Sequence, residues 1–159
     1  ATLGRRATAH RQAASDWSGR ARLVRPPAQT SDHACYIEAD PDGPIEVVRL
    51  DDLSLPTADL ERVVLKLDVE GEELPALRGA THLITAAKSI AVAFEAHPEV
   101  AARTGVDPIE CLRFLETLRS WRVVVSELPQ ARVDSRRPLF EQIPSQIVNV
   151  VCTSGDDAT

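Results

Sequence analysis

The sequence predicts an α/β fold with a mainly parallel sheet whose last strand is antiparallel. Two apolar runs, at 63–67 and 90–94, have the length and the content of Val, Leu and Ile that are typical of strands buried on both faces. The segment between them carries apolar residues at helical spacing, so the order is strand, helix, strand. Such a unit places its two strands side by side and parallel, with a right-handed crossover.

The length and the net charge of the chain limit the functions that it can have. The chain has 159 residues, and we expect one domain over residues 1–159. Its net charge of -6 argues against a nucleic-acid partner, and no apolar stretch or signal peptide indicates a membrane partner. The three cysteines are widely spaced, which is typical of free thiols, so we expect a cytoplasmic protein.

Taken in order, the predicted strands are short and are separated by turns rich in proline and glycine. They lie at residues 21–24, 34–38, 45–50, 63–67, 90–94, 123–125 and 146–151. One or two short helices follow Gly71, interrupted at Gly79, and the strongest helix begins at Asp107 or Pro108. Its apolar residues recur at helical spacing: Ile109, Leu112, Leu115 and Leu118. No helix separates the last two strands, which predicts an antiparallel pair, and residues 153–159 should form a frayed tail.

Polar side chains follow the two buried strands at the point where each strand ends. Asp68 and Glu70 come after the first strand, and Glu95 and His97 come after the second. Because the carboxyl ends of parallel strands meet at one edge of a sheet, where α/β proteins bind ligands, we expect these groups to converge. Carboxylates with a histidine can orient a substrate, take a proton or bind a hard cation such as Mg²⁺.

Each of these residues also has a simpler explanation. Asp68 and Glu70 could cap the following helix, since a helix N-terminus favours negative charge. Lys66 could be the ion-pair partner of Asp68, and His97 could be an ordinary loop histidine. We interpret the two clusters together as the stronger signal, because both lie where ligands bind in this fold class.

Four segments carry a resemblance to one protein family. They read VRLDDL at 48–53, LKLDVEGEE at 65–73, LRGA at 77–80 and FEAH at 94–97. In this order and at these gaps they resemble the FkbM family of methyltransferases, and AASD at 13–16 followed by Gly19 is similar to a further segment of that family. The resemblance covers nearly the whole chain, but only the later two-thirds of a typical family domain.

The resemblance implies a Rossmann-like class I methyltransferase fold. It also implies transfer of a methyl group from S-adenosylmethionine to a hydroxyl oxygen of a small molecule, such as a polyketide or a sugar. The fold should be incomplete at its N-terminus, because the family's glycine-rich turn after the first strand and the acid after the second have no counterpart here.

The resemblance and the strand ends together assign roles to individual residues. We expect cofactor contacts from five residues: Ala14, Ser15, Asp16, Asp68 and Glu70. We expect catalysis by three residues, with His97 as the base: Asp68, Glu95 and His97. Glu70 and Glu95 would orient their neighbours or bind a divalent cation, although no dedicated metal-site motif is present.

Two other functions are consistent with the same residues. The chain could be a truncated, non-catalytic methyltransferase-like module with a structural or interaction role. It could also be a cation-dependent hydrolase that uses the same acids, although the sequence contains no recognisable nucleophile for one. No motif identifies the methyl acceptor or the oligomeric state.

Overall fold

The computed structural model describes residues 7–25, 35–53 and 60–155. Within these ranges the strands are β1 (Gln12–Ala14), β2 (Gly19–Val24), β3 (Tyr36–Ala39), β4 (Ile45–Val48), β5 (Arg62–Leu67), β6 (Ser89–Ala96), β7 (Arg122–Val125) and β8 (Val148–Ser154). The α-helices are α1 (Glu73–Arg78), α2 (Thr81–Ala86), α3 (Pro98–Thr104) and α4 (Ile109–Leu118).

The first four strands form a small sheet, here called the hairpin sheet, in the order β1-β4-β2-β3. β1 runs parallel to β4, whereas β2 is antiparallel to both β4 and β3. The strands predicted at 21–24, 34–38 and 45–50 are therefore present with shifted ends, and residue 34 lies outside the described ranges. β1 was not predicted, because three residues are too few to show a pattern.

The last four strands form the main sheet, in the order β5-β6-β8-β7. β5 is parallel to β6, with Leu67 opposite Phe94, which confirms the predicted strand–helix–strand unit. β8 is antiparallel to β6 and β7, which confirms the antiparallel last strand. The expectation of a mainly parallel sheet is wrong for the described residues, because only β1–β4 and β5–β6 are parallel pairs. The fold is mixed α/β.

The core lies between one face of the main sheet and the helices α1, α2 and α4. Alternate residues of β6 and β8 are buried on that face: Ile90, Val92, Phe94, Ala96, Val148, Val150 and Cys152. The helices contribute buried side chains to the same cluster: Leu77, Ile84, Leu112 and Leu115. Each large apolar side chain buried in this way contributes about 1.5–3 kcal/mol.

β5 is not buried on both faces, contrary to the prediction from its composition. Its residues alternate in burial, and Leu67 is buried whereas Val64 is 81% exposed. The apolar run is thus a half-buried strand, and its inward-facing residues Val63, Leu65 and Leu67 pack in or against the core.

Close contacts near Gly79 and Asp51 join the hairpin sheet to the helices of the main sheet. A Cβ atom on Gly79, between α1 and α2, would lie 2.0 Å from the carbonyl oxygen of Ser15, so glycine alone permits this approach. The Asp51 carboxylate accepts hydrogen bonds from the backbone N–H groups of His82 and Leu83, at 2.8 and 2.9 Å, and so caps α2. These contacts hold the end of β1 close to the helices that follow β5.

α3 was not predicted from the sequence; Pro98 lies at its first position and Gly105, at φ 70°, follows its end. Thr153 and Ser154, assigned to the tail, belong to β8, while residues 156–159 lie outside the described ranges.

The three cysteines are free, as predicted. Among the described helices, none has the length and apolar character needed to cross a membrane.

Candidate active site

Three carboxylates meet at the edge of the main sheet where β5 and β6 end. The two strands pair in parallel up to Leu67 and Phe94, so the next residues, Asp68 and Glu95, lie side by side. Oxygen atoms of Asp68, Glu70 and Glu95 lie within 4.8 Å of one another. Lys66 approaches Asp68 at 3.4 Å, as predicted for an ion-pair partner, but both side chains are about half exposed and the pair adds little stability.

The turn after β5 directs Glu70 back toward this cluster. Glu70 has φ 54° and Gly71 has φ 108°, so two consecutive residues adopt left-handed conformations. For a residue with a Cβ atom this conformation costs about 1–2 kcal/mol. The Glu73 carboxylate accepts hydrogen bonds from the backbone N–H groups of Val69 and Gly71, each at 3.0 Å, and thereby closes the turn. At α1 the N-cap residue is Glu72, which makes no side-chain cap, so the alternative of capping by Asp68 or Glu70 is not observed.

His97 lies beside the carboxylates and also caps α3. Its Nδ1 atom accepts a hydrogen bond from the backbone N–H of Glu99 at 3.2 Å. In the neutral ring the proton then resides on Nε2, which makes Nε2 a donor. The nitrogen lone pair that a base would use is therefore occupied by the helix cap.

Burial and mutual repulsion raise the pKa of two of these carboxyl groups. Burial raises the pKa of Glu70, and the neighbouring Glu95 and Asp68 raise it further, while His97 opposes them. Burial also raises the pKa of Glu95, followed by the charge of Asp68, with His97 and Lys66 acting in the opposite direction. A carboxylate with a raised pKa holds a proton more strongly and is a better base near neutral pH.

Glu70 lines a small cavity and a larger one. A small one of about 30 Å³ is lined by Glu70, Glu95 and His97 together with residues of α3 and α4, and it has room for little more than a water molecule. A larger one of about 500 Å³ lies between the hairpin sheet and the turn, in the size range of ligand pockets. Its walls are formed by residues in or next to the hairpin sheet and by residues of the turn after β5: Gln12, Ala13, Ala14, Leu23, Arg25, Cys35, Tyr36, Ile37, Val69, Glu70 and Glu72.

Of the three residues at 14–16 that were expected to contact the cofactor, only one lines the larger cavity. Ala14 lines the larger cavity. Ser15 is buried, and its hydroxyl donates to the Glu72 carboxylate at 2.9 Å. Asp16 is exposed, and neither it nor Ser15 is part of the cavity wall. In this structure Ser15 holds Glu72, which does line the cavity.

A model of the FkbM methyltransferase domain matches residues 11–124, which is more than half of the chain. The chain belongs to the FkbM methyltransferase family. Its general role is therefore that of a methyltransferase, and the resemblance seen in the sequence is confirmed. No curated protein and no solved structure is significantly similar to the chain.

In this FkbM family member, three residues near the cluster escaped prediction from sequence: Tyr36, Glu72 and Arg103. Tyr36 belongs to a strand that is distant in sequence, and Arg103 belongs to α3, the helix that was not predicted. One local signal for α3 existed, since a proline at the first position and a glycine after the last one is a common pattern of helix ends. The three clustered acids are also compatible with a hard cation, although exposed acids often cluster without one.

Proposed function

We propose that this protein transfers a methyl group from S-adenosylmethionine to a hydroxyl oxygen of a small molecule. The observation that carries the proposal is the position of Glu70, which lines the cavity of about 500 Å³ and also belongs to the acid cluster with Glu95. A cofactor in the larger cavity and an acceptor at the acid cluster would thus be neighbours. Alignment of two reactants in this way can lower the barrier by several kcal/mol.

The residues of the larger cavity fit the cofactor by their chemistry. Ala13, Ala14 and Ile37 offer apolar surface to an aromatic base, while Glu70 and Glu72 offer carboxylate oxygens to hydroxyl groups and to a positive charge. When bound, S-adenosylmethionine supplies a methyl group that is already activated on a sulfonium. The protein must then orient the acceptor and remove its proton.

We assign proton removal to Glu95 rather than to His97. Glu95 is a partly buried carboxylate at the end of β6, and burial raises its pKa, which makes it a stronger base than an exposed carboxylate. His97 carries its proton on Nε2 while Nδ1 caps α3, and it can donate a hydrogen bond to orient the acceptor oxygen. Asp68 completes the cluster and disfavours further negative charge beside it.

Replacement of Glu95 tests this assignment. Glu95→Gln keeps the shape of the side chain but removes the basic oxygen, so kcat should fall by about 10²–10⁴-fold while the affinity for S-adenosylmethionine is retained. Turnover is measured as release of S-adenosylhomocysteine by the full-length protein with a panel of hydroxylated small molecules. The matched control is Glu61→Gln, an exposed carboxylate paired with Lys88 at 3.2 Å. Equal rates for the two variants would refute the role of Glu95.

Two substitutions separate the capping role of His97 from its chemical role. Asn is a good N-cap residue, so His97→Asn should keep the stability of α3 and still lower turnover. His97→Ala should lower turnover and also destabilise the protein by about 1 kcal/mol, because the cap is lost. Urea denaturation of each variant measures the stability. If His97→Asn is fully active, His97 only caps α3 and has no role in the reaction.

Calorimetric titration with S-adenosylmethionine distinguishes the proposal from a non-catalytic module. The full-length wild-type protein should release heat and saturate at one site, whereas a structural module would not bind. Exhaustive chelation during the turnover assay addresses the cation. Loss of activity that Mg²⁺ restores would add a cation to the three acids, and unchanged activity would remove it from the mechanism.

A further inference from the structure

Arg103, in α3, contacts both the turn that carries Glu70 and the hairpin sheet. Its Nη2 atom donates a hydrogen bond to the backbone carbonyl oxygen of Glu70. Its guanidinium carbon lies 5.4 Å from the centre of the Tyr36 ring, within the range of a cation–π contact. One side chain thus joins parts of the chain that are far apart in sequence.

The turn depends on α3 for its shape. A left-handed residue other than glycine persists only where its surroundings hold it, and Glu70 is such a residue. α3 packs so closely on the next residue that a Cβ atom on Gly71 would lie 3.0 Å from the Thr104 methyl carbon and 3.2 Å from a methyl carbon of Val100. Arg103 adds the hydrogen bond to the carbonyl of Glu70 itself.

The same side chain stands beside the wall of the larger cavity. Tyr36, Glu70 and Glu72 line that cavity, and they also line a neighbouring one of about 290 Å³ together with Arg103 and Thr104. A movement of Tyr36 on filling of the larger cavity would therefore reach Glu70 through Arg103.

We propose that Arg103 is a positioning residue that fixes Glu70 at the acid cluster and, through Tyr36, couples its position to the cavity of cofactor size. The inference rests on the proposed function only in naming methyl transfer as the step that Glu70 serves. The contact with Tyr36 and the shape of the turn are independent of any ligand.

The chain contains a single tyrosine, which provides a specific signal. Incorporation of 3-fluorotyrosine into this chain gives one ¹⁹F resonance, from Tyr36. Arg103→Lys keeps the charge but removes the planar group and its fork of donors. The matched control is Arg119→Lys, because Arg119 also donates to a backbone carbonyl, that of Ala87 at 2.6 Å, away from the acid cluster.

Two measurements on the protein without ligand test whether Arg103 holds the turn at Glu70. Arg103→Lys should shift the Tyr36 resonance and should speed amide exchange at Gly71 by about tenfold, because the turn is released. Arg119→Lys should leave both signals at their wild-type values. Identical signals for the two variants would overturn the proposal.

A third measurement tests the coupling. Addition of S-adenosylmethionine to the wild-type protein should shift the Tyr36 resonance and slow exchange at Gly71, and Arg103→Lys should abolish the effect on Gly71. An undiminished effect on Gly71 in Arg103→Lys would overturn the coupling. Absence of cofactor binding in the wild-type protein would instead refute the proposed function and the coupling to it, while the two signals without ligand would still decide the role of Arg103 in the turn.

Discussion

Glu70 is a carboxylate whose charged form is disfavoured both by burial and by neighbouring acids. Its Oε2 atom is buried and has no hydrogen-bond partner among the described residues. Its pKa is raised above the ordinary value of 4.5, by burial first and then by Glu95. The folded state therefore binds the proton more tightly than the unfolded state, so stability falls as the pH rises from 4.5 through the raised value.

Glu70→Gln should remove this penalty. We expect a higher Tm at about pH 8, by no more than about 2–4 °C because solvent screens the partly exposed group, and no gain at about pH 4. Thermal unfolding of both proteins at the two pH values measures the difference. Glu61→Gln, at an exposed ion pair, is the control and should show no gain. A lower Tm for Glu70→Gln at the higher pH would contradict this account.

For single residues, the sequence predicts which side chains come together, but not their backbone conformation or their hydrogen bonds. Asp68 and Glu95 could be placed because they end two strands that pair in parallel. The left-handed conformation of Glu70 could not be predicted, because α3 stabilises it from a distant part of the chain. The capping bond of His97 was missed with the helix that it caps.

Among the elements, the joint between the hairpin sheet and the helices depends on Gly79. Gly79→Ala would place a Cβ atom 2.0 Å from the Ser15 carbonyl oxygen, so the backbone must shift, and we expect a loss of about 3 kcal/mol or more. Gly105→Ala is the matched control, because no atom lies within 4 Å of its Cβ position and only its φ of 70° is unfavourable, at about 1 kcal/mol. Urea denaturation at constant m-value measures both losses. Similar losses for the two variants would mean that the joint is looser than described.

An element can be predicted from the sequence when its buried residues recur at regular spacing. α4 was predicted because its apolar residues form a continuous stripe against the sheet, and Ile109, Leu112 and Leu115 are buried. α3 has no buried residues, so it has no such stripe, and only its terminal proline and glycine mark it. Parallel or antiparallel pairing depends on contacts between distant segments, which is why the mainly parallel sheet was predicted wrongly.

At the scale of the whole molecule, the described helices cover one face of the main sheet. Val92 is fully buried on the covered face, whereas Val64 is 81% exposed on the other face. Val64→Thr should therefore change the free energy of unfolding by less than about 0.5 kcal/mol, while Val92→Thr should cost about 1–3 kcal/mol, because it buries a hydroxyl group in the core. Urea denaturation of the two variants gives both values. A loss at Val64 as large as that at Val92 would show that another surface packs on the outer face of β5, and the apolar composition of that strand would then have its explanation.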